Sequence, residues 1–217
     1  MLVKKKSALR SIDETCAPPV QVPVAISARH VHLRQETLER LFGAGYQLRV
    51  HASLLQPGQY AAEETVTLIG PRGRMSSVRI VGPTRAEDQV ELSRTDAITL
   101  GVDAPVRESG DLTDTPGIVI EGPEGKMTIA RGVICALRHI HMSTADAAAL
   151  GLQDQDRASV KVLTNNRKLT FGDIVVRVSP MYRLELHLDA DEGNAAGLHA
   201  GDDTLLIAID SKSAEKP

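Results

Sequence analysis

The chain has 217 residues, enough for one large domain or two small ones, and its formal net charge is −3 at pH 7. Aromatic residues make up 2 % of the sequence, so neither charge nor aromatic content favours nucleic-acid binding. Two cysteines do not form a disulfide framework, and no apolar run approaches the roughly 20 residues that span a bilayer. These features predict a soluble, cytoplasmic protein without nucleic-acid or membrane partners.

Residues 1–18 are predicted to be an N-terminal extension, because their sparse apolar residues lack the core of a secretory signal. Apolar and polar positions then alternate over 20–26, which predicts a strand. A short helix ended by Gly43 and an insertion with a small hairpin near 46–63 are predicted next. Further strands are predicted at 66–69, 78–81, 117–121, 126–130, 158–163, 168–178 and 204–209.

Two His-x-His units, His30-Val31-His32 and His139-Ile140-His141, are the most distinctive feature of the sequence. Side chains alternate between the faces of a strand, so the two imidazoles of a unit project the same way, roughly 6.5–7 Å apart along the backbone. Neutral imidazole is the commonest protein metal ligand. Each unit therefore indicates part of a metal site, and the alternative interpretation is two unrelated histidine pairs.

An internal repeat relates four strand-to-helix junctions. After His141, for example, the chain continues with a hydrophobic residue, then Ser143, Asp146 and Gly151. The residues at the shared position are His32, Glu91, His141 and His187, and His32 fits more loosely than the other three. Physically, each copy is a strand end, a polar helix cap, about two helical turns and a glycine stop. Each junction thus presents one ligand-type residue at an equivalent place.

Together with His30 and His139, the repeat supplies six ligands that form two sets of three. Three protein ligands with an open fourth position are typical of catalytic zinc, whereas structural zinc usually has four. We therefore expect two catalytic metal ions. His51 and His199 lie outside the pattern and are predicted to be surface or loop histidines. Cys135 lies in an apolar stretch and is predicted to be a core residue rather than a nucleophile.

Six sequence blocks occur in a characteristic order. They are Ser27-Ala28-Arg29-His30-Val31-His32, Gly82-Pro83-Thr84-Arg85, Gln89-Val90-Glu91-Leu92-Ser93, Arg107-Glu108-Ser109-Gly110-Asp111-Leu112, Arg138-His139-Ile140-His141 and Asp191-Glu192-Gly193-Asn194-Ala195. In these blocks the chain resembles the PduL-type phosphate propanoyltransferases, phosphotransacylases associated with bacterial microcompartments. The resemblance covers nearly the whole chain from 20 to 209. Gly193 is a departure, because alanine is more usual there.

The resemblance implies a mainly β fold of two small antiparallel β-barrels, capped by short α-helices, with the metal site at their junction. Residues 19–28 and 137–210 would form one discontinuous barrel, and 29–136 the other, with the insertion near 46–63 inside it. Residues 211–217 would be a C-terminal tail.

The same resemblance implies two zinc ions per chain, one on each ligand set. The sets are His30, His32 and Glu91, and His139, His141 and His187. Arg85 corresponds to the phosphate-binding arginine of the family and would be catalytic. The positions expected to line the coenzyme A site are Ala25, Ile26, Ser27, Arg72, Arg79 and Asn194.

The implied activity interconverts a short-chain acyl-CoA (propanoyl-CoA or acetyl-CoA) plus phosphate with acyl phosphate plus coenzyme A. One zinc is expected to take the coenzyme A sulfur as thiolate, and the other, with Arg85, to hold phosphate. Two alternatives stay open. One is a dizinc acyl-CoA or ester hydrolase, and the other is a non-enzymatic barrel in which zinc has only a structural role and links the two halves. The resemblance also implies self-association, location inside a microcompartment, and contact with shell or core proteins as partners.

Overall fold

The computed structural model describes Arg10–Ser11 and residues 20–163 and 167–210. The four helices of this part are α1 (Gln35–Phe42), α2 (Arg94–Leu100), α3 (Thr144–Leu150) and α4 (Ala190–Ala196). The strands up to α2 are β1 (Arg10–Ser11), β2 (Val20–Ser27), β3 (His30–His32), β4 (Val50–Ser53), β5 (Tyr60–Ile69), β6 (Arg74–Gly82) and β7 (Gln89–Glu91). The later strands are β8 (Val106–Arg107), β9 (Ile118–Glu121), β10 (Lys126–Ile129), β11 (Val133–Ala136), β12 (His139–Met142), β13 (Arg157–Val162), β14 (Thr170–Val178), β15 (Glu185–Asp189) and β16 (Asp203–Asp210).

The described chain divides into two units. The first contains the described residues up to Ile26, those of Arg138–Leu188, and those from Glu192 onward. The second contains Ser27–Leu137 and Asp189–Asp191. The C-terminal tail, most of the N-terminal extension and Cys16 lie outside the described residues.

A closed barrel of six strands forms the first unit, in the order β16-β13-β14-β12-β15-β2, with β2 paired back to β16. Closure leaves these strands without the unpaired edge of an open sheet. Alternation along β13 buries Ala158, Val160 and Val162 on one face. These side chains pack with Ile174 and others into the core of the unit.

The second unit is a half-barrel whose strands run in the order β10-β9-β5-β6-β3-β7-β11-β8, with β4 paired to β5. Val66 and Leu68 of β5 and Val78 and Ile80 of β6 are buried in its core. The fold expected from the sequence, mainly β with two barrels capped by helices, is confirmed. However, β3–β6, β7–β11, β8–β11 and β12–β14 pair in parallel rather than antiparallel.

Polar caps and glycine stops bound α2 and α3 at their junctions. Ser143 and Asp146 form a reciprocal capping box at the start of α3, and Gly151 ends it at φ 66°. The looser copy after His32 has a different cap. Arg34 precedes α1 without a side-chain cap of its own. The carboxylate of Asp88 instead accepts from Arg34 N at 2.8 Å and from Thr37 Oγ1 at 2.7 Å.

Candidate metal sites

Strand β3 presents the first predicted ligand pair. Val31, between the two histidines, is fully buried in the core, so His30 and His32 share the opposite face. Strand β7 runs antiparallel to β3 and places Glu91 in register with His30. One ligand atom from each of the three side chains lies within 4.8 Å of the others. The half-barrel thus brings together the whole first predicted set.

Backbone carbonyls orient both imidazoles of this set. His30 Nδ1 lies 2.8 Å from Ala28 O, and His32 Nδ1 lies 2.9 Å from Val81 O. A carbonyl oxygen only accepts hydrogen bonds, so each Nδ1 carries the proton and each Nε2 keeps a lone pair. The two Nε2 atoms lie 3.5 Å and 3.8 Å from the Glu91 carboxylate oxygens. This is the tautomer in which Nε2 is ready to bind a metal.

The Glu91 carboxylate is itself held by neutral donors. Its Oε1 accepts from Gln89 Nε2 at 2.5 Å and from Ser109 Oγ at 2.8 Å. Gln89 is fixed in turn, because its Oε1 accepts from Gly110 N at 2.9 Å. Sequence reasoning gave Gln89 and Ser109 no role. The available signal was that Gln89 lies two residues before Glu91 and therefore on the same strand face.

Strand β12 presents the second pair in the first unit. Ile140, between its histidines, is fully buried in the core. Strand β15 runs antiparallel to β12 and places His187 in register with His139. The ring centroids of His139, His141 and His187 lie 4.7–4.8 Å apart, and one nitrogen from each lies within 4.8 Å of the others. The barrel thus brings together the second predicted set.

The surroundings of the three-histidine set fit a metal ion. His141 is 5 % exposed, and its Nδ1 has no hydrogen-bond partner in the described part of the chain. Its ring packs 4.2 Å from the Tyr182 ring, between centroids. A buried nitrogen without a partner is costly, and a bound cation would satisfy a nitrogen of the ring. His187 Nε2 lies 2.9 Å from Glu185 Oε2.

Burial keeps one histidine of each set neutral. It lowers the pKa of His32 to about 3, with smaller electrostatic contributions from the neighbouring His30 and Arg85 side chains. Burial likewise lowers the pKa of His141 to about 2, helped by its two partner histidines and Arg177. Metal ions bind neutral imidazole, so neither ring needs to release a proton at pH 7. Sets of three ligands made of histidine nitrogens and carboxylate oxygens are typical of catalytic zinc sites.

An arginine precedes each His-x-His unit and pairs with an acid of the helix after the third ligand. Arg29 Nε lies 2.9 Å from Asp96 Oδ2, and Arg138 Nη1 lies 2.7 Å from Glu192 Oε1. The sequence repeat contains both acids, but only as part of the helix junction. The structure shows that each acid also ties its helix to the strand that carries the histidine pair.

Arg85, the predicted phosphate-binding residue, lies in the second unit after the cis Gly82–Pro83 peptide bond. Its backbone N donates to Leu33 O at 2.9 Å, next to the strand of His32. Its charge is among those that lower the pKa of His32. The structure therefore places a cationic side chain within electrostatic reach of the first ligand set.

The predicted coenzyme A residues are distributed over both units. In the second unit, Arg79 is in register with His30, and its Nη1 donates to Ala62 O and Glu63 O, each at 2.9 Å. Arg72 is exposed and Ser27 half-buried in the same unit. The remaining three, Ala25, Ile26 and Asn194, belong to the first unit.

The unusual glycine of the last block has a steric reason. A Cβ at Gly193 would lie 2.7 Å from Ile26 Cδ1, closer than packed side chains tolerate. The absence of a side chain at Gly193 therefore makes room for Ile26, one of the predicted coenzyme A residues.

The histidines and cysteine that the sequence placed outside the sites are where it predicted. His51 and His199 are exposed. Cys135 is 3 % exposed in the core of the second unit. Burial raises the pKa of the Cys135 thiol to about 11, which leaves it protonated and unreactive near neutral pH. No helix among the described residues is long and apolar enough to cross a membrane.

Comparison with known proteins gives a consistent result. A family model described as phosphate propanoyltransferase matches residues 23–199. A phosphate propanoyltransferase of Thermotoga maritima is 55 % identical over 184 residues, which cover 85 % of this chain and 88 % of that protein. That of Citrobacter rodentium is 51 % identical, over 87 % of this chain and 89 % of its own length. That of Salmonella typhimurium is 49 % identical, over 88 % of this chain and 90 % of its own length.

Proposed function

Because the chain belongs to the phosphate propanoyltransferase family, and is thus an acyltransferase, we propose that it works with two zinc ions. The reaction interconverts propanoyl-CoA plus phosphate with propanoyl phosphate plus coenzyme A, and we propose that acetyl-CoA is also accepted. The observation that carries the zinc proposal is the presence of two sets of three converging ligand side chains, one in each unit.

In this proposal His30, His32 and Glu91 hold one ion, and His139, His141 and His187 hold the other. When bound, zinc supplies Lewis acidity, which favours thiolate over thiol and stabilises charge on phosphate or carbonyl oxygens. Three protein ligands leave a coordination position open for a substrate atom.

Arg85 is proposed to bind and orient phosphate. The planar guanidinium matches two phosphate oxygens and stays charged at any working pH. Holding phosphate against the thioester carbonyl converts an encounter of two solutes into a reaction within one complex, which removes several kcal/mol of the barrier, on the order of 7–11 at most. No side-chain nucleophile is required, in agreement with the buried, protonated Cys135.

Coenzyme A is proposed to bind along Ala25, Ile26, Ser27, Arg72, Arg79 and Asn194. Arg72 is exposed, and its cationic group suits the phosphates of coenzyme A. Location inside a microcompartment, contact with shell or core proteins, and self-association stay predictions from the family resemblance.

Metal analysis combined with a phosphate-dependent assay tests the proposal. The purified chain is expected to contain two zinc ions and to release coenzyme A from propanoyl-CoA or acetyl-CoA only when phosphate is present, forming acyl phosphate. Coenzyme A release without phosphate would instead identify a hydrolase. A zinc-loaded chain with no turnover of either substrate would identify a structural role for the metal.

Replacing Arg85 separates phosphate binding from zinc binding. Arg85→Ala is expected to keep both zinc ions and to raise the KM for phosphate or abolish turnover. Loss of a charge-assisted contact of about 3 kcal/mol corresponds to a decrease in kcat/KM of at least about 100-fold. Arg40→Ala is the matched control, because Arg40 is an exposed arginine of the same unit that pairs with Glu36. Intact phosphate-dependent turnover in zinc-loaded Arg85→Ala would contradict the assigned role.

A further inference from the structure

The strands that carry the third ligands, β7 and β15, share a second feature. Gln89 lies two residues before Glu91, and Glu185 lies two residues before His187. Gln89 is in register with His32 across β3, and Glu185 is in register with His141 across β12. The same position of the two units is therefore occupied once by an amide and once by a carboxylate.

The chemistry at this position matches that of the neighbouring ligand. Glu91 is an acceptor when ionised, and the Gln89 amide donates to its Oε1 at 2.5 Å. His187 offers a ring N–H, and the Glu185 carboxylate lies 2.9 Å from its Nε2. In each unit, the side chain two residues before the third ligand supplies a hydrogen-bonding partner of the kind that suits that ligand.

We propose that Gln89 and Glu185 are positioning residues, each of which orients the third metal ligand of its own unit. This inference rests on the zinc binding proposed above. Gln89 holds one oxygen of Glu91, and so fixes the rotation of that carboxylate. Glu185 accepts a hydrogen bond from the Nε2–H of His187, and so leaves the lone pair of the imidazole on Nδ1 for the metal.

Burial explains why these polar groups act on the ligands rather than on solvent. Gln89 is 3 % exposed and Glu185 is 9 % exposed. Placing an amide or a carboxylate there costs free energy unless it is hydrogen-bonded. Gln89 is further anchored by Gly110 N, at 2.9 Å from its Oε1, and lies 2.9 Å from Ser109 Oγ. A group held on several sides orients its partner more strictly than a mobile one.

Zinc affinities measured separately for the two sets test the inference. The full chain is titrated with zinc against a chromophoric chelator in two backgrounds. His32→Ala leaves the three-histidine set to be measured, and His141→Ala leaves the other. Glu185→Leu is expected to lower the zinc affinity of the three-histidine set about 10–100-fold, the usual cost of removing the side chain that hydrogen-bonds a ligand, and to leave the affinity of the other set unchanged. Gln89→Leu is expected to give the opposite pattern.

Conservative replacement distinguishes positioning from direct ligation. Glu185→Gln keeps an oxygen that accepts the His187 N–H, so its loss of zinc affinity should be clearly smaller than that of Glu185→Leu. It should also shift the visible absorption of cobalt bound at the three-histidine set, because the hydrogen-bonded carboxylate tunes the ligand. Equal losses in the two variants would make Glu185 a ligand itself, because an amide oxygen binds zinc poorly, and would overturn the proposal.

Controls come from buried polar residues of the same units. Asp156→Asn neutralises another buried carboxylate of the first unit, one that accepts from Gln153 N, and Gln56→Leu removes a buried amide of the second. Both should leave the two affinities unchanged. If Glu185→Leu fails to fold, Glu185→Gln with its cobalt spectrum decides.

The two proposals fail in different ways. A chain that binds no zinc overturns both. A chain that binds two zinc ions, with both affinities unchanged in the Glu185 and Gln89 variants, overturns the positioning role alone. Effects that appear equally at both sets also overturn it, because they indicate a general loss of stability.

Discussion

The ion pair between Arg138 and Glu192 is expected to contribute measurably to stability, more than an ordinary surface pair. Arg138 precedes the histidine pair of β12, and Glu192 lies in α4 after His187. Their side chains are 29 % and 20 % exposed, and Nη1 lies 2.7 Å from Oε1. The perturbation is a double-mutant cycle of Arg138→Met and Glu192→Gln, because Arg138 has other contacts that a single substitution would also remove.

The magnitude follows from the partial burial. Exposed ion pairs contribute about 0.2–1 kcal/mol, whereas hydrogen bonds to charged groups contribute about 1.5–3 kcal/mol. This pair lies between those cases, so we expect a coupling energy of about 1–2 kcal/mol. Arg138→Met alone should cost more, because Arg138 Nε also donates to Gly172 O at 2.8 Å and its guanidinium lies 5.8 Å from the Phe171 ring centroid.

Urea unfolding of the four proteins of the cycle measures the coupling. The pair of Glu36 and Arg40, 59 % and 62 % exposed on α1, provides a matched control with an expected coupling of about 0.3–0.5 kcal/mol. Raising the salt concentration should weaken the control pair more than the Arg138 pair, since partly buried charges are screened less. A coupling for Arg138 and Glu192 no larger than that of the control would refute the argument that this pair ties strand to helix.

Two further predictions concern buried side chains. Ile140→Ala should lower the free energy of unfolding by about 2–5 kcal/mol in a urea titration, because Ile140 is fully buried between the two histidines of β12. A loss below about 1 kcal/mol would contradict its place in the core. Cys135 should resist iodoacetamide at pH 8 in a Cys16→Ser background and react on unfolding, and rapid native labelling would contradict its burial. Because its folded pKa of about 11 exceeds the ordinary 9.0, the protonated thiol stabilises the fold below pH 9, and this contribution is lost as the pH rises through 11.

The residues of both candidate sets were predictable from the sequence because two simple periodicities place them. The period of two along a strand puts His30 and His32 on one face and Val31 in the core. The repeated junction marks Glu91 and His187 as ligand-type residues far from the histidine pairs in sequence, and the family resemblance assigns each to its set. The structure brings both sets together, and their binding of zinc stays a prediction.

The partners around the ligands could not be predicted, because they depend on which strands are neighbours. Gln89 and Glu185 are opposite His32 and His141 only through the registers of β7 with β3 and β15 with β12. A sequence pattern shows the face of a strand but not its neighbour. The parallel pairing of β3 with β6 was missed for the same reason.

The remote cap of α1 illustrates the same limit. The sequence after His32 departs from the repeat, which weakens the evidence for an equivalent junction. Asp88, from the loop before β7, supplies the missing acceptor to Arg34 N and Thr37 Oγ1. A helix start without a local cap is therefore stabilised by a residue that only the folded half-barrel brings near.

The two candidate ligand sets differ at two positions whose side chains match each other chemically. If Glu91 were a histidine while Gln89 stayed, an amide rather than a carboxylate would support the imidazole. If His187 were a glutamate while Glu185 stayed, two carboxylates would lie within hydrogen-bonding distance in a buried site, and like charges there are strongly unfavourable. The third candidate ligand and the residue two positions before it are thus a chemically matched pair in each strand. A repeated backbone accommodates two kinds of ligand set because the supporting side chain differs along with the ligand.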